Sequence, residues 1–159
     1  MGAKGEAFAR EFEAKVQEAS ALLGKLTDAD WKKTTGGEHW TVGATAHHLA
    51  GSYEPIAGII KTLAAGKSVP NFTLQMLEEM NAKNAKEFAA CDRAETIALF
   101  KKGAAGVAAV VRGLSDAELA STGTVFTGQP AMSTENMIKL AVLGHLDEHI
   151  GSIQKTTGG

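Results

Sequence analysis

The chain has 159 residues, of which 44% are hydrophobic and 21% charged, and its formal net charge is −2. This composition is typical of one globular domain spanning residues 1–159, and it lacks the strongly basic field of a nucleic-acid-binding protein. No apolar run reaches the roughly 20 residues of a membrane span, and the single Cys91, with no N-terminal signal pattern, favours a cytoplasmic protein without disulfides.

Apolar residues recur at helical spacing from the first residues onward. The first predicted helix carries one apolar face, formed by Phe8, Phe12, Val16, Ala19, Leu23 and Leu26. Thr41 is a suitable N-cap for a second helix that runs to Gly66. Pro55 lies inside this helix and is expected to kink it, because proline removes one backbone hydrogen bond.

Two further helices are predicted in the middle of the chain. The third follows Pro70, and its expected buried positions are Leu74, Leu77, Met80 and Phe88. Asp92 and Glu95 have the spacing of a capping box, which predicts the start of a fourth helix. Its apolar stripe consists of Ile97, Phe100, Ala104, Val107, Val111 and Leu114.

The last helix is predicted to begin at Ser133 or Thr134, after a long connection from Ser115 to Met132. Leu119 indicates a short helical turn in this connection, and its "STGTVFTGQPAMS" stretch is predicted to be a loop. Long amphipathic helices with short links predict an all-α, antiparallel four-helix bundle. Its expected core includes Phe12, Phe100, Val107 and Leu140.

The stretch His145-Leu146-Asp147-Glu148-His149 fits the letters H-x-x-E-H, which occur in one class of zinc protease. That class also requires an acidic ligand well downstream. Only ten residues follow His149, and "IGSIQKTTGG" contains no carboxylate. The protease interpretation is therefore rejected, and any third ligand must come from earlier in the chain.

Two other interpretations of His145 and His149 remain. Residues four apart on a helix share one face, so both imidazoles can reach one metal ion. They can equally be two structural histidines without a metal. His47 and His48 on the second helix offer a third imidazole, and small neighbours favour His48 only weakly.

"WTVGATAHHLA" resembles the opening of the second helix in the DinB-like superfamily, and "HLDEHIGSI" resembles its closing motif. This superfamily contains four-helix-bundle metalloenzymes, bacillithiol transferases and mycothiol-dependent maleylpyruvate isomerase. The resemblance implies a divalent metal bound by His48, His145 and His149, with zinc or nickel favoured and iron or manganese as alternatives. Ser152 departs from the pattern, because many members have Gln at this position.

The resemblance also implies chemistry on a small-molecule substrate. The first hypothesis is a metal-dependent thiol S-transferase or hydrolase, with a low-molecular-weight thiol as a second cofactor. The alternative is a non-catalytic metal- or ligand-binding module of a stress response. Asp147 and Glu148 are candidates for acid–base roles, although solvated carboxylates are the expected outcome. Ala44, Gly51 and Ser52 are expected to line the substrate pocket, and a homodimer formed through helix faces is left open.

Overall fold

The computed structural model describes residues 2–159. Within that range the helices are α1 (Ala3–Lys25), α2 (Asp28–Lys32), α3 (Val42–Ala64), α4 (Leu74–Glu87), α5 (Arg93–Arg112), α6 (Asp116–Ala120), α7 (Thr134–Met137) and α8 (His145–Thr157). A π-helical segment, Ile138–Gly144, joins α7 to α8, so one continuous helix, here called the last helix, runs from Thr134 to Thr157. Two short strands, β1 (Thr122–Gly123) and β2 (Met132–Ser133), pair antiparallel.

Helices α1, α3, α5 and the last helix form a bundle around one core. At its centre the ring of Tyr53 lies 5.5 Å from that of Phe12 and 5.8 Å from that of Phe100. Phe12, Phe100 and Val107 are buried as predicted, with at most 1% of their surface exposed. The predicted all-α four-helix bundle is therefore confirmed.

Two packing pairs of the bundle are clearly antiparallel. The backbone N–H of Gly2 donates to the carbonyl of Leu114 at 3.1 Å, which brings the start of α1 to the end of α5. Ser152, near the end of α8, contacts Glu38, which precedes α3. The predicted N-caps are confirmed as well: the side chains of Thr41 and Asp92 accept hydrogen bonds from backbone N–H groups in the first turns of α3 and α5.

Helices α3 and α5 begin at the same end of the bundle, so this pair runs parallel and departs from the predicted antiparallel arrangement. The thiol of Cys91, just before α5, donates to the carbonyl of Gly43 in the first turn of α3 at 3.3 Å. The chain must therefore come back from the end of α3 before α5 can start. Helix α4 makes this return.

The predicted burial of α4 is wrong at two positions. Leu74 and Met80 are 45% and 49% exposed, while Leu77 and Phe88 are half-buried. No residue of α4 is buried, because this helix lies outside the bundle. Apolar spacing predicts a helix but does not tell how deeply the bundle covers it.

Leu140 is also misplaced by the sequence pattern, since it is 64% exposed. It lies in the π-helical segment, where the backbone N–H of His145 donates to the carbonyl of Leu140, five residues earlier. A π turn holds one residue more than an α turn. This extra residue changes the phase of the helix, and the side chain of Leu140 faces solvent. The N-cap at Ser133 is confirmed.

The long connection before the last helix agrees with its prediction. Helix α6 supplies the short helical turn, with Leu119 buried in it. The rest is loop apart from the two-residue strands, which pair Thr122 with Ser133 and Gly123 with Met132. Among residues 2–159, no helix has both the length and the apolarity required to cross a membrane.

Candidate metal centre

Three histidine side chains converge between α3 and α8. Each of His48, His145 and His149 offers one ring nitrogen, and these three nitrogens all lie within 4.8 Å of one another. The Nε2 atoms of His48 and His145 are 3.0 Å apart. The structure thus brings together the three histidines that the family resemblance singled out.

The backbone explains this convergence. His145 and His149 lie on one face of α8 because they are four residues apart. His48 faces them from the second turn of α3. His47 points elsewhere, and its ring stacks on Phe88 with the ring centroids 3.7 Å apart. The weak sequence-based preference for His48 over His47 therefore agrees with the geometry.

Two of the three rings are uncharged at neutral pH. Burial, reinforced by the neighbouring His149, lowers the pKa of His48 to about 4. Burial, together with His149 and His48, lowers the pKa of His145 to about 3. Neutral imidazole is the form that binds metal ions, so the protonation state suits a ligand role.

The spacing of the cluster also fits a metal ion. Two nitrogens bound at about 2.1 Å to one tetrahedral ion lie about 3.4 Å apart, close to the separation of the His48 and His145 Nε2 atoms. The Nδ1 atom of His145 is buried and has no hydrogen-bond partner among the described residues. An ion bound at Nε2 would leave this Nδ1 atom unpaired, so the argument for a metal rests on the spacing of the three nitrogens.

A carboxylate that the sequence analysis missed contacts the third histidine. Oε2 of Glu38 lies 2.6 Å from Nδ1 of His149, and Oε1 accepts a hydrogen bond from Oγ of Ser152 at 2.5 Å. Burial raises the pKa of Glu38, but hydrogen bonds from Ser152, His149 and Thr35 outweigh it and hold the pKa below its usual value. The only hint in the sequence is an acidic residue three positions before the N-cap Thr41.

Glu38 belongs to a short loop between α2 and α3 that closes on itself. Thr34 and Thr41 form a β-bridge, and the backbone N–H of Thr35 donates to the carbonyl of Trp40 at 2.8 Å. His39 has a positive φ of 62°, a conformation in which histidine is enriched among non-glycine residues. The loop therefore directs Glu38 and Trp40 towards the cluster.

Trp40 covers one side of the histidines. Its ring is nearly parallel to that of His149, with an interplanar angle of 19° and centroids 6.4 Å apart. It also meets the ring of His48 edge-on at 5.2 Å. An aromatic wall of this kind restricts the access of water to the rings.

The other candidate residues lie away from the cluster. Asp147 and Glu148 are exposed, and Asp147 accepts a hydrogen bond from Nζ of Lys15 at 2.9 Å. The expectation that both are solvated carboxylates agrees with this exposure. Cys91 is half-buried near the start of α5, and burial raises the pKa of its thiol.

The three small residues expected to line a pocket differ in their surroundings. Ala44 is 2% exposed, and Ser52 donates a hydrogen bond to the carbonyl of Leu49 at 2.7 Å. Gly51 is exposed, and a Cβ atom at this position would meet nothing within 4 Å. Close helix packing therefore does not explain the glycine at position 51.

Comparisons with known proteins agree with the fold. The chain superposes on the crystal structure of the mycothiol-dependent maleylpyruvate isomerase with a TM-score of 0.72 at 12% identity, over 94% of this chain and 59% of that one. It superposes on YfiT from Bacillus subtilis, described as a probable metal-dependent hydrolase with an unusual four-helix bundle topology, with a TM-score of 0.70 at 21% identity, over 98% of this chain and 86% of that one. At these identities the likeness shows a shared fold, and the chain spans about three-fifths of the isomerase.

No curated protein matches the sequence. A family model does match it: residues 12–139 fit the mycothiol maleylpyruvate isomerase N-terminal domain, which is most of the chain. With the two structural matches, this confirms the resemblance to the DinB-like superfamily. The chain belongs to the family of mycothiol maleylpyruvate isomerase N-terminal domains.

Proposed function

We propose that the protein is a divalent-metal-dependent enzyme acting on small molecules, with the metal bound by His48, His145 and His149. The observation that carries the proposal is the convergence of three ring nitrogens, which all lie within 4.8 Å of one another. Zinc and nickel suit three neutral imidazoles best, and iron or manganese would also be accepted.

The residues of the centre have distinct roles in this proposal. The three imidazoles hold the ion and leave at least one coordination position open to a ligand. The ion would act as a Lewis acid. It would lower the pKa of a bound water molecule to about 7 or stabilise a bound thiol as its thiolate. Trp40 limits water on one side of the rings.

Two reactions follow from this chemistry, and the relatives support each of them. Transfer of a low-molecular-weight thiol to an electrophile, or a related thiol-dependent reaction, is supported by the mycothiol-dependent isomerase. Hydrolysis is supported by YfiT, the probable metal-dependent hydrolase. Thiol S-transfer is the first candidate because the matching family model is the N-terminal domain of a mycothiol enzyme.

A non-catalytic metal- or ligand-binding module is the second candidate function. It is favoured by the positions of the carboxylates: Glu38 is engaged by His149 and Ser152, and Asp147 and Glu148 are exposed. Among the described residues no free carboxylate faces the cluster as a general base. Metal-dependent turnover of a substrate would support the enzyme. Tight metal binding without turnover would support the non-catalytic binding module.

The proposal is tested first by elemental analysis of the purified protein. We expect about one divalent ion per chain, lost in His145→Ala and His48→Ala because two imidazoles bind an ion weakly. His47→Ala is the matched control, since its ring stacks on Phe88 outside the cluster. Loss of the metal in His47→Ala but not in His48→Ala would contradict the assignment.

Turnover is tested next with the metal-loaded protein. Bacterial thiols are paired with small electrophiles, and small esters and amides are offered without thiol. Turnover that disappears in His145→Ala supports the enzyme, and the thiol requirement separates transferase from hydrolase.

A further inference from the structure

The contact between Glu38 and His149 is an enclosed polar interaction at the centre. The two side chains are 9% and 8% exposed, and Oε2 of Glu38 lies 2.6 Å from Nδ1 of His149. The second oxygen of Glu38 is also engaged, because it accepts the hydroxyl of Ser152. Burying a carboxylate is costly unless its oxygens are hydrogen-bonded. Here each oxygen of Glu38 has its own hydrogen-bond partner.

The carboxylate determines which nitrogen of His149 carries the proton. An ionised carboxylate only accepts hydrogen bonds, so Nδ1 of His149 must be the donor. In the neutral ring, Nε2 then carries the free lone pair that a metal ion requires. His145 has no such restraint, because its Nδ1 atom has no partner among residues 2–159.

The fold brings Glu38 to this position because its loop passes close to a side chain of α8. A Cβ atom at Gly37 would lie 3.3 Å from Oγ of Ser152, so the loop passes close to α8. His39, the residue after Glu38, has the positive φ already described. Conformations of this kind cost energy and persist where the surrounding structure requires them.

We propose that Glu38 is a positioning residue of the metal centre: oriented by Ser152, its carboxylate holds His149 in the tautomer that binds metal and places a negative charge behind that ligand. This inference rests on the three-histidine metal site of the proposed function. It assigns a role to Ser152, the residue at which the sequence departs from the family pattern. A carboxylate behind a ligating histidine raises the basicity of the ligand, and its removal typically weakens metal affinity about 10- to 100-fold.

The competing explanation is that Glu38 only ties the loop to α8. A tie of this kind would contribute to stability and leave metal affinity unchanged. Metal affinity and stability must therefore be measured separately, on the same variants.

The experiment compares Glu38→Gln with Glu148→Gln. Both substitutions remove one carboxylate charge. Glu148, however, is exposed and immediately precedes His149 in α8. Dissociation constants for Zn²⁺ and Co²⁺ are measured by competition with a chromophoric chelator, and the Co²⁺ absorption spectrum reports the ligand field. Melting temperatures of the metal-free proteins report stability.

We expect Glu38→Gln to weaken binding of both ions by about 10- to 100-fold and to change the Co²⁺ spectrum. We expect Glu148→Gln to bind within about twofold of the unmodified protein. Ser152→Ala, which keeps the carboxylate but removes its orienting hydroxyl, should weaken binding less than Glu38→Gln does. It serves as the second variant if Glu38→Gln does not fold.

The tautomer is tested independently by nitrogen-15 NMR of the histidine rings in the metal-free protein. The proposal requires the proton of neutral His149 on Nδ1. A proton on Nε2 would overturn it, as would a Glu38→Gln variant with unchanged affinity and Co²⁺ spectrum. If the unmodified protein binds metal while Glu38→Gln binds it equally well, only the role of Glu38 is wrong. A folded protein that binds no metal refutes both this inference and the proposed function.

Discussion

Gly43 in the first turn of α3 lies against the indole of Trp31, and replacing it with alanine perturbs that contact directly. The added Cβ atom would lie 2.6 Å from Nε1 and 2.8 Å from Cε2 of Trp31. Trp31 is 6% exposed and its Nε1 donates to the carbonyl of Cys91 at 2.8 Å. A buried ring with this hydrogen bond cannot move away freely, so Gly43→Ala is expected to be destabilising.

The magnitude follows from three contributions. Overpacking costs about 1–3 kcal/mol, and a weakened hydrogen bond costs about 0.5–1.5 kcal/mol. The higher helix propensity of alanine offsets about 0.5–1 kcal/mol of this cost. The net loss is about 0.5–4 kcal/mol, which corresponds to a fall in melting temperature of about 1–16 °C for a chain of this size.

Thermal unfolding of Gly43→Ala and Gly58→Ala tests this reasoning. Gly58 lies in the same helix, but a Cβ atom there would meet nothing within 4 Å. Gly58→Ala should therefore stabilise the protein by about 0.5–1 kcal/mol, through helix propensity alone. A Gly43→Ala protein that melts at or above the unmodified protein would show that Trp31 yields, and the reasoning would be wrong.

The other predictions concern the pocket and the thiol. Gly51→Leu should keep its metal and should stabilise the protein by about 0.5–1 kcal/mol, because position 51 is open to solvent and leucine has a higher helix propensity than glycine. Binding of a thiol or inhibitor should be lost. Calorimetry and thermal melting check this, and a destabilised variant with unchanged ligand affinity would place the pocket elsewhere. Burial raises the pKa of Cys91, so the folded protein keeps a proton that the unfolded thiol loses above about pH 8.5, and the free energy of unfolding should fall as the pH rises through that value. The unfolding free energy of the unmodified protein and of Cys91→Ala, measured at pH 7 and pH 9.5, checks this; an equal pH dependence in both would contradict it.

Local chemistry in the sequence was enough to predict the helices and much of their packing. Thr41 and Asp92 cap helices because their side chains satisfy free N–H groups in the next turn, and this depends on a few neighbouring residues only. The i, i+4 spacing of His145 and His149 likewise fixes a shared face without any tertiary information. These features could be predicted because their causes are local.

Other features depend on contacts that no spacing encodes. Glu38 reaches His149 across 111 positions of the chain, through a loop whose path is set by its close approach to α8. Leu140 fits an apolar stripe, but the π-helical segment changes the phase of the helix around it. That His48, His145 and His149 bind a metal remains a prediction, since their convergence is geometric.

The π-helical segment Ile138–Gly144 has a consequence for insertions and deletions in this chain. Each of its turns holds one residue more than an α turn. The segment therefore accommodates one extra residue without changing the direction of the helix before or after it. Loss of one residue within 138–144 can thus be absorbed by a change from π to α geometry, with both imidazoles still facing His48. Loss of one residue between His145 and His149 cannot be absorbed, because it turns one ring by about 100° relative to the other. We therefore expect a one-residue deletion to be tolerated just before the histidine pair and to disrupt the cluster when it falls within the pair.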